Sequence, residues 1–220
     1  MKTHFEQEIL QLKRLITTQT AMVESAVRKT HHAMERHERT LAMEVIDGDD
    51  EIDETEVRIE EECLKVLALH QPVAGDLRYI VTLLKVNTEL ERIGDLGVNI
   101  AERVLHMLSL HADMKRLDIT DMFLAVLQAL KNSLDAFLGR DCFLAAQVIA
   151  ADDSIDSQHR DNFHRILQML KENAGEAETL LDFLNISRNL ERIADSCTNI
   201  GEDVLYLEQG KIVRHCRGFN

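Results

Sequence analysis

The tract Leu90-Glu91-Arg92-Ile93-Gly94-Asp95 returns as Leu190-Glu191-Arg192-Ile193-Ala194-Asp195, and Asn99-Ile100, Glu102 and Val104-Leu105 return as Asn199-Ile200, Glu202 and Val204-Leu205, all shifted by 100. At ~100° per residue, Glu91, Asp95, Asn99 and Glu102 fall on one helix face, opposite an apolar stripe of Leu90, Ile93, Gly97, Ile100 and Val104. Carboxylates at i and i+4 repel by a few tenths of a kcal/mol. A solvated surface has no reason to keep that arrangement in two places. Cation binding does.

A second acidic set is repeated upstream. Asp50, Ile52 and Asp53 match Asp153, Ile155 and Asp156 at a shift of 103, so three residues are missing from the second half between the two blocks. The loss falls at a turn, where the first half has His70-Gln71-Pro72-Val73-Ala74-Gly75 and the second the shorter Asn173-Ala174-Gly175. If the flanking helices form antiparallel hairpins with midpoints near residues 73 and 174, Asp53 comes level with about Ile93 and Asp49 with about Gly97. The pair Asp49 and Asp53 then opposes Glu91 and Asp95, and Asp152 and Asp156 oppose Glu191 and Asp195. Each hairpin is expected to gather four carboxylates, with Asn99 or Asn199 adding an amide. Clustered carboxylates raise one another's pKa, and a divalent or trivalent ion keeps them ionised. An oxygen-rich set suits Mg, Mn or Ca and tolerates Fe, whereas Zn prefers His or Cys and is the outlying candidate among Fe, Mn, Mg and Zn.

Other chemistries lack their residues. A ferritin-like centre needs Glu-x-x-His, and none of the 10 histidines has Glu three places before it. His31, His32 and His37 read as a polar helix face. There is no Gly-rich phosphate loop, no Gly-x-Ser-x-Gly and no kinase signature, so no catalytic residue and no organic cofactor is assigned. The rival readings are a metal-dependent phosphohydrolase and a purely structural helical scaffold.

The elements that position these residues are helices. A single Pro, 9 Gly and 4% aromatic residues in 220 supply too few turn and strand formers for a sheet fold, and 45% hydrophobic residues suffice for a packed core. The fold class expected is all-α. Helices are predicted over about 4 to 46, 50 to 70 and 77 to 111, then 119 to 149, 153 to 172 and 177 to 208, with Gly48, Gly175 and Gly210 as breakers. This gives two tandem pseudo-symmetric three-helix bundles, spectrin-repeat-like in layout, over residues 1–112 and 113–220.

A net charge of −14 repels phosphate backbones and anionic lipid, which argues against nucleic acid as a partner. No apolar run approaches the roughly 20 residues of a membrane span. The start lacks a signal peptide's apolar core, and Cys63, Cys142, Cys197 and Cys216 are widely spaced, so a cytoplasmic protein with reduced thiols is expected.

These blocks resemble the PhoU family of bacterial phosphate-signalling proteins. The resemblance is carried by Ile52-Asp53, Glu60-Glu61-Glu62-Cys63-Leu64, Leu67 through Arg78, Leu90 through Asp95, Arg188 through Asp195, and the tail Gly210-Lys211-Ile212-Val213-Arg214-His215. It implies a homodimer of paired three-helix bundles that binds metal through Glu/Asp-xxx-Asp motifs. It also implies a negative regulator of phosphate uptake and of the phosphate-starvation response, an adaptor between the phosphate ABC transporter and its sensor histidine kinase. Such a protein would be recruited peripherally to the inner membrane by its partners. By motif, Glu91, Asp95, Glu191 and Asp195 take the family's metal positions. Family members often place His directly after the second-half Asp, where this chain has Ser196.

Overall fold

The computed structural model describes residues 4–210, and among them every regular element is helical. They are α1 (His4–Arg36), α2 (Arg39–Asp47), α3 (Asp49–His70), α4 (Ala74–Ser109), α5 (Thr120–Gly139), α6 (Cys142–Glu172) and α7 (Ala177–Gln209), with a 3-10 turn at Ala174–Glu176. Cys216 and the Lys211–His215 tract lie outside the described residues.

The chain reversals fall earlier than the sequence breakers suggest. The first long helix does not run to residue 46. It ends at Arg36, where His37 turns left-handed (φ 57°), and α2 starts back at Arg39. Gly48 is only a kink, with φ −87° and ψ −5°, so α2 and α3 run on as one arm. The second half reverses at Arg140 (φ 54°), not near residue 150, and the Asp141 carboxylate caps α6 by accepting from the Phe143 and Leu144 amides at 2.9 and 3.0 Å. Helix α6 then passes unbroken through Asp152 and Asp156. At the shift of 103, Arg39 aligns with Cys142 and Gly48 with Ala151, so α2 plus α3 is the counterpart of α6. Where the first half can kink, the second has a methyl group and stays straight.

The stripe Leu90, Ile93, Gly97, Ile100 and Val104 is buried as expected, but Gly94, Leu96 and Ala101 on α4 are buried too. Helix α4 has two inward faces because it packs on α1 and α3 within its own half and against α7 of the other. The α4–α7 pair is antiparallel: Lys85 Nζ donates to Asp203 at 2.9 Å, Asn199 Nδ2 to Glu89 at 3.0 Å, and His106 Nδ1 lies 2.6 Å from Asp182. Those pairings put Gly94 level with Ala194, so both acidic motifs sit near the middle of the joint. One apolar core, from Leu12 on α1 to Leu207 on α7, runs through both halves. No helix of the described residues is long and apolar enough to cross a membrane.

Candidate metal centres

Helices α3 and α4 bring Asp49, Asp53 and Asp95 together, with one carboxylate oxygen of each within 4.8 Å of the others. Helices α6 and α7 do the same with Asp152, Asp156 and Asp195. Turn geometry sets this register. Because α3 stops at His70 and α4 starts at Ala74, the hairpin midpoint is near residue 72, and Asp49 meets Asp95 rather than Gly97. The close approach is permitted at Gly94: a Cβ there would stand 3.3 Å from Ile52 Cδ1 and Cγ2 and 3.7 Å from Asp49 Oδ1.

Electrostatics are unfavourable in both clusters without a cation. Burial, then the charges of Asp53, Asp95 and Asp50, push the Asp49 carboxyl up to about 6. Burial and the charges of Asp156 and Asp195 push Asp152 up to about 6, against a hydrogen bond from Thr198 that lowers it. Asp95 is raised by burial and Asp53. Glu91, one turn earlier, borders its cluster and is raised by burial and by Asp95, Asp53, Glu56 and Asp49. In each cluster one buried oxygen, Asp49 Oδ1 or Asp152 Oδ1, accepts no hydrogen bond. A buried carboxylate oxygen without a donor is costly, and a hard cation is the partner an all-oxygen set accommodates. The residues therefore fit a metal, held by Asp49, Asp53 and Asp95 or by Asp152, Asp156 and Asp195, with Glu91 and Glu191 alongside.

The amides expected to join them stand differently. Asn199 donates to Glu89 across the α4–α7 joint, so its amide nitrogen belongs to the interface between halves. Asn99 is exposed, a turn beyond Asp95. The second acidic face is also less open than its pattern suggests, since Glu191 and Asp195 are half-buried. Ser196 is buried, and its hydroxyl makes no hydrogen bond.

Three contributors escape a motif search. Glu56, one turn past Asp53, is raised by burial and by Glu60 and Asp53, and its i+3 spacing from Asp53 was the available signal. Its side chain and backbone carbonyl accept from Asn87 Nδ2 at 3.3 and 2.9 Å. At the equivalent places the second half has His159 and Ser187, paired at 2.9 Å. Thr198 replaces Val98. Burial, then Glu191 and Asp156, raise the Asp195 carboxyl, and Arg92 on α4 of the other half partly offsets this, as does Arg192. No local spacing announces that long-range contribution.

An all-helical chain of two repeats, each with a carboxylate cluster between its last two helices, defines the class. The PhoU domain matches residues 16–104 and again 119–204, and the chain belongs to the PhoU family. It is 34% identical to the phosphate-specific transport system accessory protein PhoU homolog 1 of Thermotoga maritima, over 94% of this chain and 90% of that one. Against the phosphate-specific transport system accessory protein PhoU of Escherichia coli it is 30% identical over 97% and 89%. The crystal structure of PhoU from Pseudomonas aeruginosa superposes with a TM-score of 0.90 at 29% identity, covering 94% of this chain and all of that one.

Proposed function

We propose that this protein is a non-enzymatic accessory of phosphate transport, a metal-binding adaptor that restrains phosphate uptake and the phosphate-starvation response when phosphate is plentiful. Its partners on this reading are the phosphate ABC transporter and its sensor histidine kinase, and it acts as a cytoplasmic homodimer drawn to the inner membrane through them. The names of its relatives support the transport role. The observation that carries the metal-binding part is the repeated cluster with an unpartnered buried Asp oxygen in each copy. A bound Fe, Mn, Mg or Zn ion would supply positive charge that holds α3 to α4 and α6 to α7. The chain's own carboxylates orient and neutralise that ion.

The test is reporter expression from a phosphate-starvation promoter in phosphate-rich medium. Deletion is expected to derepress it, and wild-type protein to restore repression. Glu191→Ala with Asp195→Ala, at matched protein level, is expected to restore repression less completely. Unchanged repression in the deletion strain would contradict the regulatory reading.

A further inference from the structure

Away from both carboxylate clusters, the start of α1 and the end of α3 bring together a donor set of a different kind. Glu8 is buried, with 6% of its side chain exposed, between His4 one turn before it and His70. His70 Nε2 lies 2.5 Å from Glu8 Oε2, and His4 Nε2 lies 3.4 Å from Glu8 Oε1. One ligand atom of each residue falls within 4.8 Å of the other two. Glu8 Oε1, the oxygen nearer His4, is buried and accepts no hydrogen bond. The remaining charged neighbour is Lys65, whose Nζ is 3.6 Å from that oxygen and 3.1 Å from Glu62 Oε2, so it keeps a partner if it leaves Glu8. The Phe5 ring meets the His70 ring edge to face at 5.2 Å and fixes its plane.

We infer that His4, Glu8 and His70 form a binding site for a divalent transition-metal ion of the Zn2+ type, separate in place and in chemistry from the carboxylate clusters. Two imidazoles and one carboxylate are a three-ligand set that leaves a fourth position for water, which the exposed side of His4 admits. Ligand atoms around a tetrahedral Zn2+ stand about 3.4 Å apart given ~2.1 Å bonds; His4 Nε2 and Glu8 Oε1 already stand 3.4 Å apart, and the 2.5 Å between His70 Nε2 and Glu8 Oε2 would open by about 1 Å. Imidazole nitrogens select against Mg2+ and Ca2+, the ions that all-oxygen sets favour. Along α3 the site is roughly 30 Å from Asp49 at 1.5 Å per residue. It exists in one half only. The counterpart of His70 is Asn173, and α5 begins at Thr120, which aligns with Thr17, so the second half has no segment matching His4 and Glu8. An ion there ties the first turn of α1 to the last turn of α3.

The test uses the full chain with Asp95→Asn and Asp195→Asn, which weakens the carboxylate clusters, and titrates Zn2+ at neutral pH against a chromophoric competitor. One Zn2+ is expected to bind, with shifts of the Nε2 resonances of His4 and His70. Adding His4→Gln or His70→Gln is each expected to weaken that ion at least tenfold. The His4 side chain is 73% exposed, so its substitution leaves the fold intact, as an unchanged helical signal would verify. Retained affinity in the His4→Gln protein, or Zn2+ binding that leaves both ring nitrogens unshifted, would overturn the assignment. The weakened carboxylate clusters are the same in every protein compared, so they drop out of the difference between them.

Discussion

The two carboxylate clusters share a design and differ in charge. The first has Asp49, Asp53, Asp95, Glu91 and Glu56 acting on one another, and the shifts of Asp49, Asp95, Glu91 and Glu56 trace to burial and carboxylates alone. In the second, His159 stands where Glu56 was, and burial holds its pKa down, toward the neutral imidazole. Arg188 and Arg192 act on Glu191, Arg92 and Arg192 on Asp195, and Arg160 comes within 3.8 Å of Asp156. Duplication has kept the geometry while the second copy has drawn arginines around its acids. If both clusters hold cations as proposed, one motif specifies two affinities: the acids of the first are shifted only by burial and one another, while arginines partly offset those of the second.

The most damaging test of this contrast is removal of the first cluster. Glu91→Ala with Asp95→Ala is expected to abolish the tighter class of Mn2+ binding, lowering affinity by about 100-fold or more, while a weaker class persists. Isothermal titration would detect it. Loss of the weaker class alone would reverse the ranking.

The arginines provide a gentler test in the opposite direction. Two unit charges each contribute ~1 kcal/mol at ~7 Å and an effective dielectric of ~40, so replacing Arg92 and Arg192 by Gln is expected to tighten the second cluster by about tenfold or more. The same titration checks it, and no change would mean that the ion does not feel those charges.

Proton competition comes next in size. A carboxyl raised from 3.8 to about 6 in the folded state binds protons more readily folded than unfolded, so metal-free stability falls as pH rises from about 4 to 6 and is flat above. The urea midpoint in chelator is expected to drop over that window, less steeply in Asp49→Asn, and saturating Mn2+ is expected to cancel the drop. An Asp49→Asn slope equal to wild type would show that Asp49 is not the group responsible.

Smallest is the backbone contrast at the helix joint. Ala194→Gly is expected to cost about 1 to 2 kcal/mol through helix propensity and a lost buried methyl. Gly94→Ala gains up to ~1 kcal/mol of propensity but presses on Ile52 at 3.3 Å, so a net change under about 1 kcal/mol is expected. Thermal unfolding of both variants compares them.

The all-α class and the pairing of Asp49 and Asp53 with Asp95 were legible because both rest on local periodicity and an internal repeat. The reversal at His37 was not, and the one at Arg140 was missed although Gly139 and the capping Asp141 flank it. His37 has no Gly or Pro beside it, and the Gly48 signal that stood out belongs to a kink within an arm. Asn199 was read as a ligand because it shares a helix face with Asp195; that its amide nitrogen donates to Glu89 from the other half was not legible. The charge contrast was illegible for the same reason: Arg92 and Asp195 are 103 residues apart and meet only because α4 packs on α7.

Anomalous scattering from crystals grown with Mn2+ distinguishes the two clusters without substitution. A strong peak is expected among Asp49, Asp53 and Asp95 and a weaker one among Asp152, Asp156 and Asp195. No peak at the first cluster, or a stronger one at the second, would contradict that expectation.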